Sequence, residues 1–379
     1  MNVGILKENM EGEKRVALIP EHVPLLAKSG LSVFIEKGAG GEAGYSDDMY
    51  AERGASIVER KEVFEKSDMI VCIHRPRDIN LMHDNQTIIG MLDPFSRLEE
   101  LEEIGNGKVK MFSLELLPRV TRAQSMDILS SQAAISGYKA VLMAANLLPK
   151  MFPMLITAAG TIMPSKVFVI GAGVAGLEAI AVARRLGADV YAYDIRPETK
   201  EQVESVGGKF VELKLEEKSA EDKGGYSKAM DEEFYRKQGE MMKKVLSESD
   251  VVITTAAVPG KKAPILIEEE ALKGMKKGSI IVDIAAATGG NCELTEPGKT
   301  VQKHGVTIVG HTNLPSTVPY HASQMYSNNM TKFLLNLYKE GKIDLNLEDE
   351  IIRDTLIIKD GAIFSPRLKE ILGIRGGND

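Results

Sequence analysis

The sequence predicts an α/β protein of two doubly wound domains with parallel sheets, the first of them discontinuous. Three observations carry this. Short apolar runs recur without strict alternation, as strands buried on both faces do. They lie at residues 3–6, 32–36, 69–73, 87–91 and 109–113, and again at 166–170, 189–193, 251–254, 279–282 and 307–309. Helical patterns separate them, and such alternation marks the α/β class. An Ala-rich helical stretch from about 126 to 163 divides the two series.

Within that stretch, AVLMAANLLPKMFPMLITAAGTIM carries Lys150 and the prolines Pro149 and Pro153. A membrane span wants about 20 uninterrupted apolar residues, so the expectation is a buried helix, a break and a second buried segment. Further on, HASQMYSNNMTKFLLNLYKEG reads as a long helix over about 321–340, closed by Gly341. The tail TLIIKDGAIFSP reads as a hairpin around Asp360-Gly361. This last segment is expected to return and complete the first domain. The domains expected are then 1–125 with 325–379, and 126–324.

Composition narrows the function. The 379 residues carry a net charge of −7, which argues against a nucleic-acid binder that would need a basic face. Cys72 and Cys292 lie far apart with no C-x-x-C, so neither a disulfide scaffold nor a zinc ribbon is expected, and a reducing cytosol suits them. No metal site is expected. The opening MNVGILKENMEGEKR mixes acids into its first turns, unlike a secretory signal.

The strongest chemical motif is KVFVIGAGVAGLEAIAVARRLGADVYAYDIR. A strand runs into Gly171-Ala172-Gly173-Val174-Ala175-Gly176, a helix follows, and a second strand ends at Asp194. Gly171 permits the tight turn, Gly173 lets backbone approach a pyrophosphate, and Gly176 lets helix pack on strand. The helix N-terminus offers N–H groups and a positive dipole end to phosphates. Asp194 sits near the expected spacing of about 20 residues. A carboxylate there accepts from ribose hydroxyls and repels a 2′-phosphate, which favours NAD(H) over NADP(H). Arg196 complicates this, because a nearby arginine can serve a 2′-phosphate, but Asp194 sits at the strand end itself. This is the fingerprint of a Rossmann-like domain.

A second feature is LLPRVTRAQSMDILSSQ, residues 116–132, at the carboxyl end of a strand, where open α/β sheets bind ligands. It crowds Arg119, Arg122, Gln124, Asp127, Ser130, Ser131 and Gln132 together. One account is structural: Thr121 and Gln124 fit a helix capping box, with Asp127 an acid in the first turn. The other is functional: Gln124 offers its amide to a nicotinamide carboxamide while Arg119 and Asp127 fix its position. A third feature is the charged insertion at 215–240, with Gly224-Gly225 and Tyr226. The gap from Asp194 to the next core strand is nearly twice the roughly 30 residues a βαβ unit needs. The insertion is either a solvated excursion or a mobile flap over nucleotide.

Taken together, the chain resembles the alanine dehydrogenase and nicotinamide nucleotide transhydrogenase superfamily over nearly its whole length. KENMEGEKRVALIPE, with Arg15, is typical of both branches. RAQSMDILSSQ, the Gly-Gly-Tyr run and VDIAAATGGN at 282–291 resemble the NAD(H)-binding subunit of proton-translocating transhydrogenase. The length, without following membrane helices, suits a separate soluble polypeptide. Alanine dehydrogenases hold pyruvate with a lysine in K-x-K-E-P; the aligned run here is Cys72-Ile73-His74-Arg75-Pro76, with His74 in its place. Their catalytic histidine aligns with Asp93 and their catalytic aspartate with Ala287. Only Arg15 remains of that set.

The resemblance implies a set of site residues. Arg119, Gln124, Asp127 and Ser130 surround the nicotinamide end, Gln124 contacting the hydride donor, with Val120 and Thr121 beside them. Val174 belongs to the glycine turn, and Asp194, Ile195 and Arg196 flank the adenosine ribose. Gly225, Tyr226 and Gln238 belong to the flap, and Ala257 to the TTAAVPG loop. The family commonly shows E-R before the last Gly-Gly, where this chain has Ala287-Thr288. Hydride then passes directly from NAD(H) here to NADP(H), or back; with only one glycine fingerprint present the NADP(H) site is expected elsewhere, and the resemblance implies that a partner subunit holds it. The resemblance further implies a homodimer, NADP-binding and membrane partner subunits, and a cytoplasmic chain peripheral to the inner membrane through them. The rival readings are an alanine dehydrogenase, a non-catalytic NAD(H)-binding regulatory protein and a structural oligomer partner.

Overall fold

The computed structural model describes residues 1–96, 109–212, 232–258 and 260–373. The chain divides into two compact units: Met1–Gln132 with Ser316–Asp379, and Ala133–Pro315. Each is an α/β layer structure around one mostly parallel sheet.

In the first unit the eight strands lie in the order Ala362–Ile363, Leu356–Lys359, Lys110–Ser113, Thr87–Met91, Met69–His74, Asn2–Ile5, Ser32–Glu36 and Ser56–Val58. The pairing is parallel except at the first two, where Leu356–Lys359 runs antiparallel to both neighbours. Both faces are covered. Ile5, Val33, Val71 and Phe112 pack beneath Tyr326, Met330 and Phe333 of the helix Pro319–Leu337. On the opposite face Ile70, Ile88 and Met111 meet Val63, Phe64 and Leu368. Two buried faces leave no polar side to alternate with, hence the continuous apolar runs. The tail hairpin turns at Asp360 (φ 51°) and Gly361 (φ 82°), two left-handed residues matching the sheet's twist.

The second unit orders its seven strands Lys209–Phe210, Asp189–Tyr193, Lys166–Ile170, Val251–Thr254, Ile280–Asp283, Val306–Val309 and Thr300–Lys303. Only the last is antiparallel. Val167, Val169 and Ile253 face Ala179, Ile180 and Ala183 of the helix Val174–Arg185; Phe168, Val252 and Ile281 face Met242, Leu246 and Leu272. Numbering the parallel strands of each unit along the chain, both sheets read 3-2-1-4-5-6. Each therefore reverses direction between strands 1 and 4, where open sheets leave a crevice at the carboxyl ends.

Two expectations need correction. The divide at 126–163 is one helix, Ile128–Leu147, then a small hairpin, Leu155–Thr157 with Gly160–Ile162. Pro149 stops the helix, and the hairpin beyond Pro153 is exposed rather than buried, Ile156 by 71% and Ile162 by 45%. The helix expected over 321–340 spans Pro319–Leu337. Gly341 (φ 82°), with Glu340 (φ 51°), instead turns a short hairpin, Tyr338–Lys339 with Lys342–Ile343. Most of the insertion expected at 215–240, with Gly224, Gly225 and Tyr226, lies outside the described residues; the helix Glu232–Glu248 covers its end and carries Gln238. Among the described residues, no helix is long and apolar enough to cross a membrane.

Candidate functional site

In the second unit the crevice is built from the glycine turn. Gly171 has φ +99°, and a Cβ there would stand 2.4 Å from Thr255 Oγ1. A Cβ on Gly176 would stand 1.8 Å from the Gly171 carbonyl oxygen, so helix and turn meet backbone to backbone. Gly173 differs: a Cβ there meets nothing within 4 Å. It is the N-cap of Val174–Arg185, has no side chain to cap the first turn, and stands exposed beside Val174. The turn thus presents helix N–H groups to open space, the arrangement that accepts an anion.

Asp194 closes the adjoining strand and is buried. Its Oδ2 accepts from Ala172 N at 2.7 Å and from Arg196 Nη2 at 3.0 Å. Its Oδ1 accepts from Arg196 N at 2.9 Å and from Arg196 Nε at 3.0 Å. A carboxylate has about four acceptor positions, so Asp194 ties the glycine turn to its own strand end and is closed over by Arg196. Ile195 lies between them, half-buried.

The loop after Val251–Thr254 is held from beneath. Thr255 Oγ1 lies 3.2 Å from the Gly171 oxygen. Asn291 accepts from Ala256 N at 3.0 Å and donates to the oxygens of Ala256 (2.7 Å) and Pro264 (2.9 Å). Asp283, fully buried, anchors Asn291 N, Cys292 N, Thr254 Oγ1 and Thr295 Oγ1. Ala257 stands exposed on the loop so held. Asp283 and Asn291 both lie in VDIAAATGGN, but the sequence alone assigns them no such task; an acid at a strand's carboxyl end is the signal that could have found it.

In the first unit, residues 119–130 form another arrangement. Thr121–Met126 is a 3-10 turn preceded by Val120, with no side-chain cap, so the box expected from Thr121 and Gln124 does not form. The cap is one turn later. Asp127 Oδ1 accepts from Ser130 N at 2.9 Å and Oδ2 from Ser130 Oγ at 2.6 Å, opening the helix Ile128–Leu147. That relieves Gln124 of any capping task and leaves it exposed, with Arg119 and Thr121 also exposed and Val120 half-buried. Arg122 turns the other way, onto both carboxylate oxygens of Asp349. Among the described residues no group of three or more His, Cys, Asp or Glu is placed to hold a metal.

Comparison with known proteins covers both units. Residues 4–136 match the description "Alanine dehydrogenase/PNT, N-terminal domain" and residues 140–366 its "C-terminal domain". The chain belongs to the alanine dehydrogenase/PNT family. Within that family it is 45% identical over 379 residues to an NAD(P) transhydrogenase subunit alpha protein of Rhodospirillum rubrum, covering 97% of this chain and 99% of that one. A Rickettsia prowazekii protein of the same name is 41% identical, with 98% of each covered. A crystal structure of transhydrogenase from Sinorhizobium meliloti superposes with a TM-score of 0.85 at 37% identity, over 97% of this chain and 100% of that one. The three positions aligned with the catalytic residues of the alanine dehydrogenase branch stand differently here. His74 Nε2 lies 2.9 Å from Glu13 Oε2, Asp93 N donates to Glu115 Oε2 at 2.8 Å, and Ala287 sits exposed in the turn Ile284–Thr288.

Proposed function

We propose that this chain is the NAD(H)-binding subunit of a proton-translocating NAD(P) transhydrogenase, exchanging hydride directly with NADP(H) on a partner subunit. The observation that carries the reading is the glycine turn whose Gly173 faces open space beside a strand-end acid, Asp194. NAD(H), when bound, supplies the hydride of nicotinamide C4. The N–H groups at the start of Val174–Arg185 hold the pyrophosphate, with Val174 beside it. Asp194 takes the adenosine ribose: its acceptor positions are now filled largely by Arg196, so a ribose diol displaces that guanidinium, and Ile195 lines the same end. Ala257 adds contact from the clamped loop.

Gln124, Arg119, Asp127 and Ser130 serve the nicotinamide end, with Val120 and Thr121 beside them. Gln124 orients the ring by its amide; Asp127 and Ser130 hold the turn rigid. Catalysis is then mostly placement, with reacting atoms about 3–3.5 Å apart. Gly225, Tyr226 and Gln238 complete the nucleotide contacts in this reading. The chain works as a homodimer in contact with NADP-binding and membrane subunits, which place it at the inner membrane's cytoplasmic side and couple transfer to proton movement.

The test is to mix the chain with an NADP-binding partner and follow reduction of an NAD analogue by NADPH. Gln124→Asn is expected to lose most of the rate with little change in NADH affinity. Robust NAD reduction by alanine with this chain alone, or no heat on titration with NADH, overturns the reading. His74 paired to Glu13 is the observation that sets alanine dehydrogenase second.

A further inference from the structure

The crevice of the first unit is filled by the chain itself. Residues 6–19, which come after strand 1, fold back over the carboxyl ends of the sheet. Glu8 accepts from Ile73 N at 2.6 Å and His74 N at 3.1 Å, its carboxylate taking the N–H groups at the end of strand 4. Glu13 and Arg15 sit beside it, their side chains 0% and 2% exposed. Arg15 Nε donates to Glu13 Oε1 at 2.8 Å and Nη2 to Oε2 at 2.6 Å. Burial works to raise the Glu13 carboxyl, but hydrogen bonds from Arg15 and His74 outweigh it and hold it well below the usual range.

A guanidinium clamped on two nitrogens points its third in a fixed direction. Arg15 Nη1 donates to Gln132 Oε1 at 2.8 Å. Gln132 is buried in the second turn of Ile128–Leu147, and its Nε2 donates to the Ala322 oxygen at 3.1 Å and lies 3.3 Å from Ser131 Oγ. The loop carrying Glu13 and Arg15 is itself pinned. Lys14 N, Val16 N and Ile19 N donate to the hydroxyls of Ser316, Ser323 and Ser327 at 2.7, 3.0 and 3.0 Å. The helix carrying Ser323 and Ser327 also binds the Ser125 oxygen through Asn329 Nδ2 at 2.9 Å. One rigid helix therefore supports the loop and the 124–132 segment together.

We infer that Arg15 is a positioning residue: clamped by Glu13, it fixes Gln132 and so sets the first turn of the helix that Asp127 and Ser130 open, directly after Gln124. This rests on the function proposed above. Arg15 does not touch nucleotide in this account; it governs how accurately the 124–130 segment is held.

The experiment uses the full chain with an NADP-binding partner and compares Arg15→Lys, Gln132→Met and the double variant. Each single variant is expected to lower the hydride-transfer kcat about tenfold, with KM for NADH within about twofold of wild type. The double variant is expected to be no worse than either, because both remove one link. Amide hydrogen exchange at Ser130 and Ser131 is expected to quicken about tenfold in both. If Arg15→Lys fails to fold, Gln132→Met, which leaves the Glu13–Arg15 pair intact, carries the test. A lowered Tm with unchanged kcat and unchanged exchange overturns the inference, as does a rise in KM alone or additive losses in the double variant. An inactive wild-type mixture whose exchange still responds to Gln132→Met overturns the proposed function instead, and with it the catalytic meaning of the link.

Discussion

The two units share one strand order and put it to opposite uses. In the second, Gly171 and Gly176 let the turn and helix pack backbone to backbone, Gly173 faces open space, and a helix begins almost at once, at Val174. In the first, a long loop brings Glu8, Glu13 and Arg15 into the equivalent place. Glu8 bonds backbone N–H groups at strand 4 much as the glycine turn is arranged to receive a phosphate. Topology therefore supplies exposed strand-end N–H groups in each unit; the segment after strand 1 decides whether they are left for a ligand or taken by the protein's own Glu8 side chain.

The comparison breaks most visibly at Glu13. Glu13→Ala strands the Arg15 charge in the interior, and loss of a buried partner costs about 3–5 kcal/mol. Chemical denaturation should show it as a large fall in midpoint. Gly176→Ala comes next, since its Cβ would enter the Gly171 carbonyl: a loss of about 3 kcal/mol is expected, together with loss of the heat of NADH titration. Gly173→Ala sharpens the contrast within the same turn. Its Cβ meets nothing, so Tm should hold while NADH affinity falls about tenfold, or about 1.4 kcal/mol. Asp127→Ala removes an N-cap and should cost about 1 kcal/mol, read from thermal melting.

Glu8 gives the comparison a pH dependence. Burial pushes its carboxyl from the ordinary 4.5 up to about 7, with nearby His74 opposing. The fold thus favours the protonated form. That contribution is full below pH 4.5 and disappears as pH rises through 7. Glu8→Gln should therefore gain on the wild type by a few degrees in Tm between about pH 5 and pH 8; a constant difference across that range contradicts the assignment.

The core strands were legible because they are covered on both faces, which writes an unbroken apolar run. Ser56–Val58, Lys209–Phe210 and Thr300–Lys303 were not, being short edge strands with partly exposed residues. The glycine turn could be read residue by residue, since each glycine answers a local steric demand. Closure of Asp194 by Arg196 could not, because spacing says nothing of where a guanidinium turns. Thr121 and Gln124 had the spacing of a capping box, yet the helix starts at Ile128, where Asp127 and Ser130 make the better cap. The contents of the first crevice were hidden for a different reason: Glu13, His74 and Gln132 meet only after the chain has folded back on itself.

The serines that accept from Lys14, Val16 and Ile19 lie some 300 residues further along the chain. Leu356–Lys359, which covers the sheet edge at Lys110–Ser113, comes later still. On the ribosome, residues 133–315 emerge with everything their sheet requires, while residues 1–132 wait for the last to be made. The second unit is thus able to fold first, and the first must pass through a stage with an uncovered edge and unfilled apolar face, the condition under which nascent chains aggregate or recruit chaperones.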